Sequence, residues 1–215
     1  EDRGDCLVPA GDEPIAFEQH RRFLDHMAAM HASFWQAGPE IDVIPMVNRY
    51  FELSPWTAVA ESECADDHLV PKLVGQGWER YATVAPRSAS VVLPLAWDPT
   101  PLVAALITTP TPFVHANWKL GNLGSMPDGR TVLIDWESPG RGSACGELAW
   151  YLAINSARLP EPKEPAIAAF RESLERHGID TEKWWERQLA LALLGGLVWF
   201  GWEKCLGGYD DELAW

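Results

Sequence analysis

The spacing of apolar residues predicts helices along most of the chain. Across residues 14–35, Phe23, Met27, Met30 and Phe34 recur at i, i+4, i+7 and i+11, one apolar stripe of a helix. Asp12 stands where a capping residue would, and Pro14 suits the first turn. His26 and His31 are five residues apart, about 140° around a helix, so they do not share a metal-binding face. His31, beside the stripe, reads as a packed core histidine. Gly38-Pro39 ends the segment. Residues 41–58 predict a short helix between prolines. Residues 66–85 predict a longer one through Leu69, Leu73, Trp78 and Tyr81, with Pro71 in its first turn. Pro94, Pro99 and Pro101 punctuate the next stretch before a short helix over 101–108.

The pattern then changes. Thr111-Pro112-Phe113-Val114 is a strand candidate leading to His115. Leu123-Gly124-Ser125 and Thr131-Val132-Leu133-Ile134 flank Pro127-Asp128-Gly129, a hairpin turn signal. Helical spacing returns over 144–155, 165–177 with Gly178 at its end, and 181–206. The expected fold is therefore α+β and mostly α. One domain spans 1–215, with a helical part at 1–110, a polar loop and hairpin at 111–136, and C-terminal helices at 143–215. Polar residues gather at the β element: His115, Asn117, Lys119, Asn122, Asp135 and Glu137. Loops beside rigid strands are where chemistry usually sits.

Those residues fall in an ordered set. His115-Ala116-Asn117-Trp118-Lys119-Leu120-Gly121-Asn122 reads H-x-N-x-K-x-x-N, and Ile134-Asp135-Trp136 follows across the hairpin. The kinase catalytic loop, H-R-D-L-x-x-x-N and then D-F-G, has the same order. The stretch from Phe113 to Leu152 resembles the C-terminal lobe of the aminoglycoside phosphotransferase and choline-kinase-like family. That family's loop reads H-G-D-x-x-x-x-N, then I-D-W, then G-x-G-D-P-A-x-D-L-A. The last element is similar to Gly140-Arg141-Gly142-Ser143-Ala144-Cys145-Gly146-Glu147-Leu148-Ala149 here. The first helix, with Leu24 and Met30-His31-Ala32, is similar to the one that opens this lobe. The resemblance implies a kinase-like C-lobe in which Asn122 and Asp135 would hold magnesium, His115 would brace the loop, and Lys119 would reach a transferring phosphate.

Two departures set expectations against that chemistry. The position of the family's acceptor-orienting Asp is Asn117, and a neutral amide cannot act as a base. Ala116 stands where the family has glycine, and Ser143 and Glu147 depart from its acidic pattern. Neither G-x-G-x-x-G nor a V-A-I-K-like strand occurs. Glu1-Asp2 sits where the hinge to a nucleotide-binding N-lobe would be, so that lobe either lies outside this chain or has been discarded. Three readings follow. The first is a degenerate lobe repurposed for small-molecule binding or ATP-independent chemistry such as cyclisation or isomerisation. It needs no cofactor and uses His115, Asn117, Lys119, Asp135 and Glu137 as hydrogen-bonding or acid–base groups. The second is an ATP- and magnesium-dependent small-molecule O-phosphotransferase with an N-lobe elsewhere. The third is a protein-binding pseudokinase, or a homodimer formed through the surface left by the missing lobe.

Composition narrows the partners. With 17 Lys+Arg against 31 Asp+Glu the net charge is −14, which disfavours nucleic acid and suits an amine-bearing ligand. Twelve tryptophans supply aromatic walls; Trp184, Trp185, Trp199 and Trp202 are those expected nearest a ligand. Cys6, Cys64, Cys145 and Cys205 form no C-x-x-C pair, so the chain reads as reduced and cytoplasmic. The N-terminus has no signal-peptide core. The apolar run from Leu189 to Trp202 falls short of the roughly 20 residues that span a bilayer, so no membrane partner is expected.

Overall fold

A computed structural model describes residues 4–35, 44–64 and 69–210. The chain forms two compact units, one from residues 1–44 and 109–189 and the other from 45–108 and 190–215.

In the first unit, helix α1 (Phe17–Ser33) packs on helix α8 (Lys163–Arg176). Phe23, Leu24, Met27, Ala28 and His31 are fully buried along α1, while Phe170 and Leu174 are buried on α8. The buried stripe therefore runs through Leu24 and His31 and leaves Phe34 largely exposed. The helix ends at Ser33, so Phe34 departs from helical geometry and turns its ring onto Phe113, 5.8 Å away. Asp12 does not cap this helix; Ala16 occupies the cap position and makes no side-chain bond. Helix α7 (Ala144–Ile154) is buried on nearly every side, from Ala144 to Ala149 without a break. Its first turn is closed by Ser143, whose Oγ accepts from the Gly146 N–H at 2.7 Å. Gly178 takes a left-handed φ of 85° just past α8, as its position predicts.

Two small antiparallel sheets belong to this unit. Strand β1 (Phe113–Val114) pairs with β4 (Gly140–Arg141), and β2 (Leu123–Ser125) pairs with β3 (Thr131–Leu133). The hairpin turn forms where expected, with Gly129 at φ 90° and the Asp128 carboxylate accepting from the Arg130 N–H at 3.1 Å. Strand β4 was not foreseen, because two residues carry no periodicity.

The second unit is helical. Residues 41–58, expected to hold one short helix, contain α2 (Met46–Phe51) and the start of α3 (Pro55–Glu63), which Ser54 caps by accepting the Thr57 N–H on its Oγ. Helix α4 (Leu69–Val84) matches expectation from Leu69 onward; Asp66 lies outside the described residues, as do Gly38-Pro39. Helix α5 (Pro86–Trp97) was not foreseen. Pro94 looked like punctuation, yet it lies inside the helix near its end, and Pro86 sits in the first turn. Helix α6 (Thr100–Leu106) follows.

Helix α9 (Trp185–Asp210) runs from the first unit into the second. It begins four residues later than predicted because residues 181–184 form a turn instead. Its 23-residue stretch Trp185–Gly207 is long and apolar enough to cross a membrane by length and composition, which corrects the shorter run read from sequence. The interior of a globular unit meets the same criterion. Ala192, Val198, Phe200 and Cys205 are buried, and Trp199 stacks on Tyr50 with ring centres 4.1 Å apart.

Candidate functional site

The polar residues singled out in 111–136 converge in the first unit. His115 is fully buried at the end of β1. Its Nδ1 accepts from the Asn117 N–H at 3.2 Å, so the ring proton sits on Nε2 and is donated to the Ile134 carbonyl at 3.0 Å. The imidazole thus ties the loop to the segment after β3. Burial pushes its pKa below the ordinary 6.5, against the opposing pull of Glu147, the Ile134 carbonyl and Asp135. A base with a lowered folded-state pKa contributes stability that is complete above 6.5 and is lost as pH falls towards the folded value. His20 and His26 are lowered by burial too and act in the same direction. We expect thermal melts to show stability falling between about pH 7.5 and 5. His115→Gln should make that decline shallower; an unchanged slope would refute the assignment.

Asp135 is the centre of the cluster. The Asn117 side chain donates from Nδ2 to Asp135 Oδ2 at 2.8 Å, and Asn122 Nδ2 donates to the same oxygen at 3.1 Å. Lys119 Nζ stands 3.7 Å from that oxygen. Asn122 also reaches the Asn117 carbonyl at 3.0 Å, closing the loop on itself. Two residues pay for this shape in backbone strain: Ala116 at φ 67° and Asp135 at φ 64° are left-handed without being glycine. Asp tolerates that region better than Ala does.

What holds Ala116 is a group that the sequence reading treated only as a departure. Glu147 on α7 accepts the Ala116 N–H on Oε1 at 2.5 Å, and its Oε2 lies 2.6 Å from His31 Nε2 on α1. Both side chains are almost completely buried, and His31 Nδ1 has no partner. His31 is a core histidine as expected, with a buried carboxylate as its task. Glu147 was legible in principle as the single charge in an otherwise apolar helix. Asn155, whose Oδ1 accepts the Leu120 N–H at 2.9 Å, and Gln188, which bonds Cys145, Thr109 and Pro110, carried no comparable signal.

The remaining predicted residues separate. Glu137 is exposed and stands outside the hydrogen-bond cluster. Trp185 is buried against Phe170, a core role. Trp199 and Trp202 belong to the second unit, where the Trp199 Nε1–H is donated to the Arg49 carbonyl at 3.2 Å. Trp184 lines a cavity of about 740 Å³ with Trp35, Phe34, Ser33 and Asp180. Its ring is 5.4 Å from that of Trp35. From Phe34 a line of rings runs to Phe113, then Trp136 at 6.3 Å, then His115 at 4.5 Å.

No protein-family model matches the sequence, and no curated protein does. Among solved structures, the chain is similar to the aminoglycoside phosphotransferase APH(3'')-Id of Streptomyces rimosus, with a TM-score of 0.48 and 18% sequence identity over 88% of this chain and 68% of that one.

Proposed function

We propose that this chain binds a small, amine-bearing molecule at the His115–Asp135 cluster and does not transfer phosphate from ATP, its chemistry being binding or an ATP-independent conversion such as a cyclisation or isomerisation. The observation that carries this reading is the 2.8 Å bond from Asn117 Nδ2 to Asp135. The side chain where a base would stand is a donor, spent on the one carboxylate of the cluster. His115 is equally committed, with both ring nitrogens bonded to backbone.

The donor set also fits magnesium poorly. Mg²⁺ sites in phosphotransfer use one or two carboxylates with oxygen ligands around them. Here one oxygen of the single carboxylate already accepts two amide protons beside the Lys119 ammonium, and Asn122 turns its nitrogen to it. The preference for an amine rests on the net charge of −14; Trp35, Trp184 and Asp180 line a separate cavity that contains none of the cluster residues. No disulfide joins Cys6, Cys64, Cys145 or Cys205, which suits a reducing compartment.

A phosphotransferase remains the second reading, because the bond from Asn122 to the Asn117 carbonyl keeps the loop closed in the order that the kinase signature uses. Calorimetry separates the two. We expect no binding of Mg-ATP by the full chain, and loss of ligand binding in Asp135→Ala when native mass spectrometry surveys metabolite extracts. Micromolar Mg-ATP binding would overturn the proposal.

A further inference from the structure

The second unit contains a pocket that the proposed function does not use. It measures about 460 Å³ and is lined by Asn48 and Phe51 of α2, Trp56 of α3, Trp97 at the end of α5, and Asp98. That volume lies within the usual range for small-ligand sites. Phe51 and Trp56 meet edge to face with ring centres 6.3 Å apart. Trp56 is 58% and Trp97 50% exposed. Elsewhere in this unit, Trp78 is buried and donates to the Leu53 carbonyl, and Trp199 is buried on Tyr50. Packing therefore accounts for those two indoles, while Trp56 and Trp97 stay half-exposed in the lining of the pocket.

The lining residues bring one formal charge, the Asp98 carboxylate. Asp98 Oδ1 accepts from the Thr100 N–H at 3.0 Å, and hydrogen bonds from Thr100 hold the carboxyl below its ordinary range, so it is anionic at neutral pH. We propose that this aromatic pocket is a binding site for a small N-alkylated ammonium ion, held against Phe51, Trp56 and Trp97 with Asp98 as its counter-charge. Ring faces carry the negative end of the aromatic quadrupole, and three rings with a carboxylate favour a cation over a neutral ligand of equal size. A primary ammonium would need acceptors for three N–H groups. The pocket supplies polar atoms only from Asn48 and Asp98, so an alkylated head group fits its apolar walls better. The chain's net charge of −14 draws cations to the surface generally. This site lies in the unit that does not contain Asp135, so it stands or falls separately from the function proposed above.

The test follows indole N–H signals of the full chain by NMR during titration with tetramethylammonium chloride. tert-Butanol serves as the neutral match in size, and sodium chloride as the ionic-strength control. We expect saturable shifts of the Trp56 and Trp97 signals with the ammonium ion, and binding of tert-butanol at least tenfold weaker. Trp97→Ala should remove saturation, Trp97→Phe should restore part of it, and Asp98→Asn should weaken binding roughly two- to fivefold, the scale of an exposed ion pair. Because both tryptophans are half-exposed, these variants should keep the parental melting temperature. Asp135→Ala should bind tetramethylammonium like the parent. Equal binding of tert-butanol would overturn the proposal, as would saturation unaltered in Trp97→Ala. Shifts that depend on protein concentration without ligand would do the same, since they would make this face a contact between copies.

Discussion

Replacing Glu147 by alanine is expected to cost about 3–5 kcal/mol, since each of two buried donors left unsatisfied costs about 1–3 kcal/mol. Two partners lose their acceptor at once: the Ala116 N–H and the His31 ring, already without a partner at Nδ1. No water-filled space replaces the carboxylate, because both side chains are almost fully buried. For a chain of this size the melting temperature should fall by roughly 10 °C. Glu147→Asp removes one methylene and cannot span both contacts, so it should recover only part of the loss. Glu147→Gln keeps the shape and one acceptor oxygen and should fall between. A decline under about 1 kcal/mol in Glu147→Ala would mean that the clamp contributes little more than an exposed pair. Amide exchange supplies a second readout: protection at Ala116 should vanish in Glu147→Ala under conditions where α1 remains protected.

Asn117→Asp should have the second-largest effect, and the outcome separates a lapsed kinase from a repurposed one. The substitution replaces a donor 2.8 Å from Asp135 Oδ2 with a second carboxylate. Two carboxylates at that distance do not both ionise readily, so one acquires a raised pKa. An acid raised in the folded state binds its proton more tightly there than when unfolded. Its destabilising effect is therefore small at low pH and grows as pH rises through the raised value. We expect the stability gap between variant and parent to widen between about pH 4 and 7, with weaker ligand binding at neutral pH and no ATP consumption. If a base were all that had been lost, activity would rise by roughly 10² to 10⁴. Robust ATP-dependent phosphorylation of any added small molecule would sink the repurposed reading.

Much of the site was legible because its residues are local. His115, Asn117, Asn122 and Asp135 lie within 21 positions, and a hairpin signal sits between them, so the chain must bring them together. The α-helical body was legible from periodicity in α1, α4, α7 and α8. Helix α5 was hidden because Pro94 was read as a break, although it lies near the end of the helix. The clamp from Glu147 to His31 was hidden for a different reason. The two residues are 116 positions apart, and no short-range pattern connects them. The tryptophans show the weakest link: an indole that walls a ligand and one that fills a core have the same sequence signature, so Trp184, Trp185 and Trp199 could be sorted only by burial.

The clamp also says when the site can come into being. The hairpin of β2 and β3 closes over a few residues and can form early and locally. The left-handed turn at Ala116 cannot, because alanine alone disfavours it and its support comes from α7 and, behind that, from α1. The loop must therefore wait for α7 and α1 to dock. A newly made chain would then carry its helices and hairpin before it carried the completed loop. In the reverse direction, the loop would be the first part to dissolve when the docking of α1 loosens, while most of the secondary structure remained.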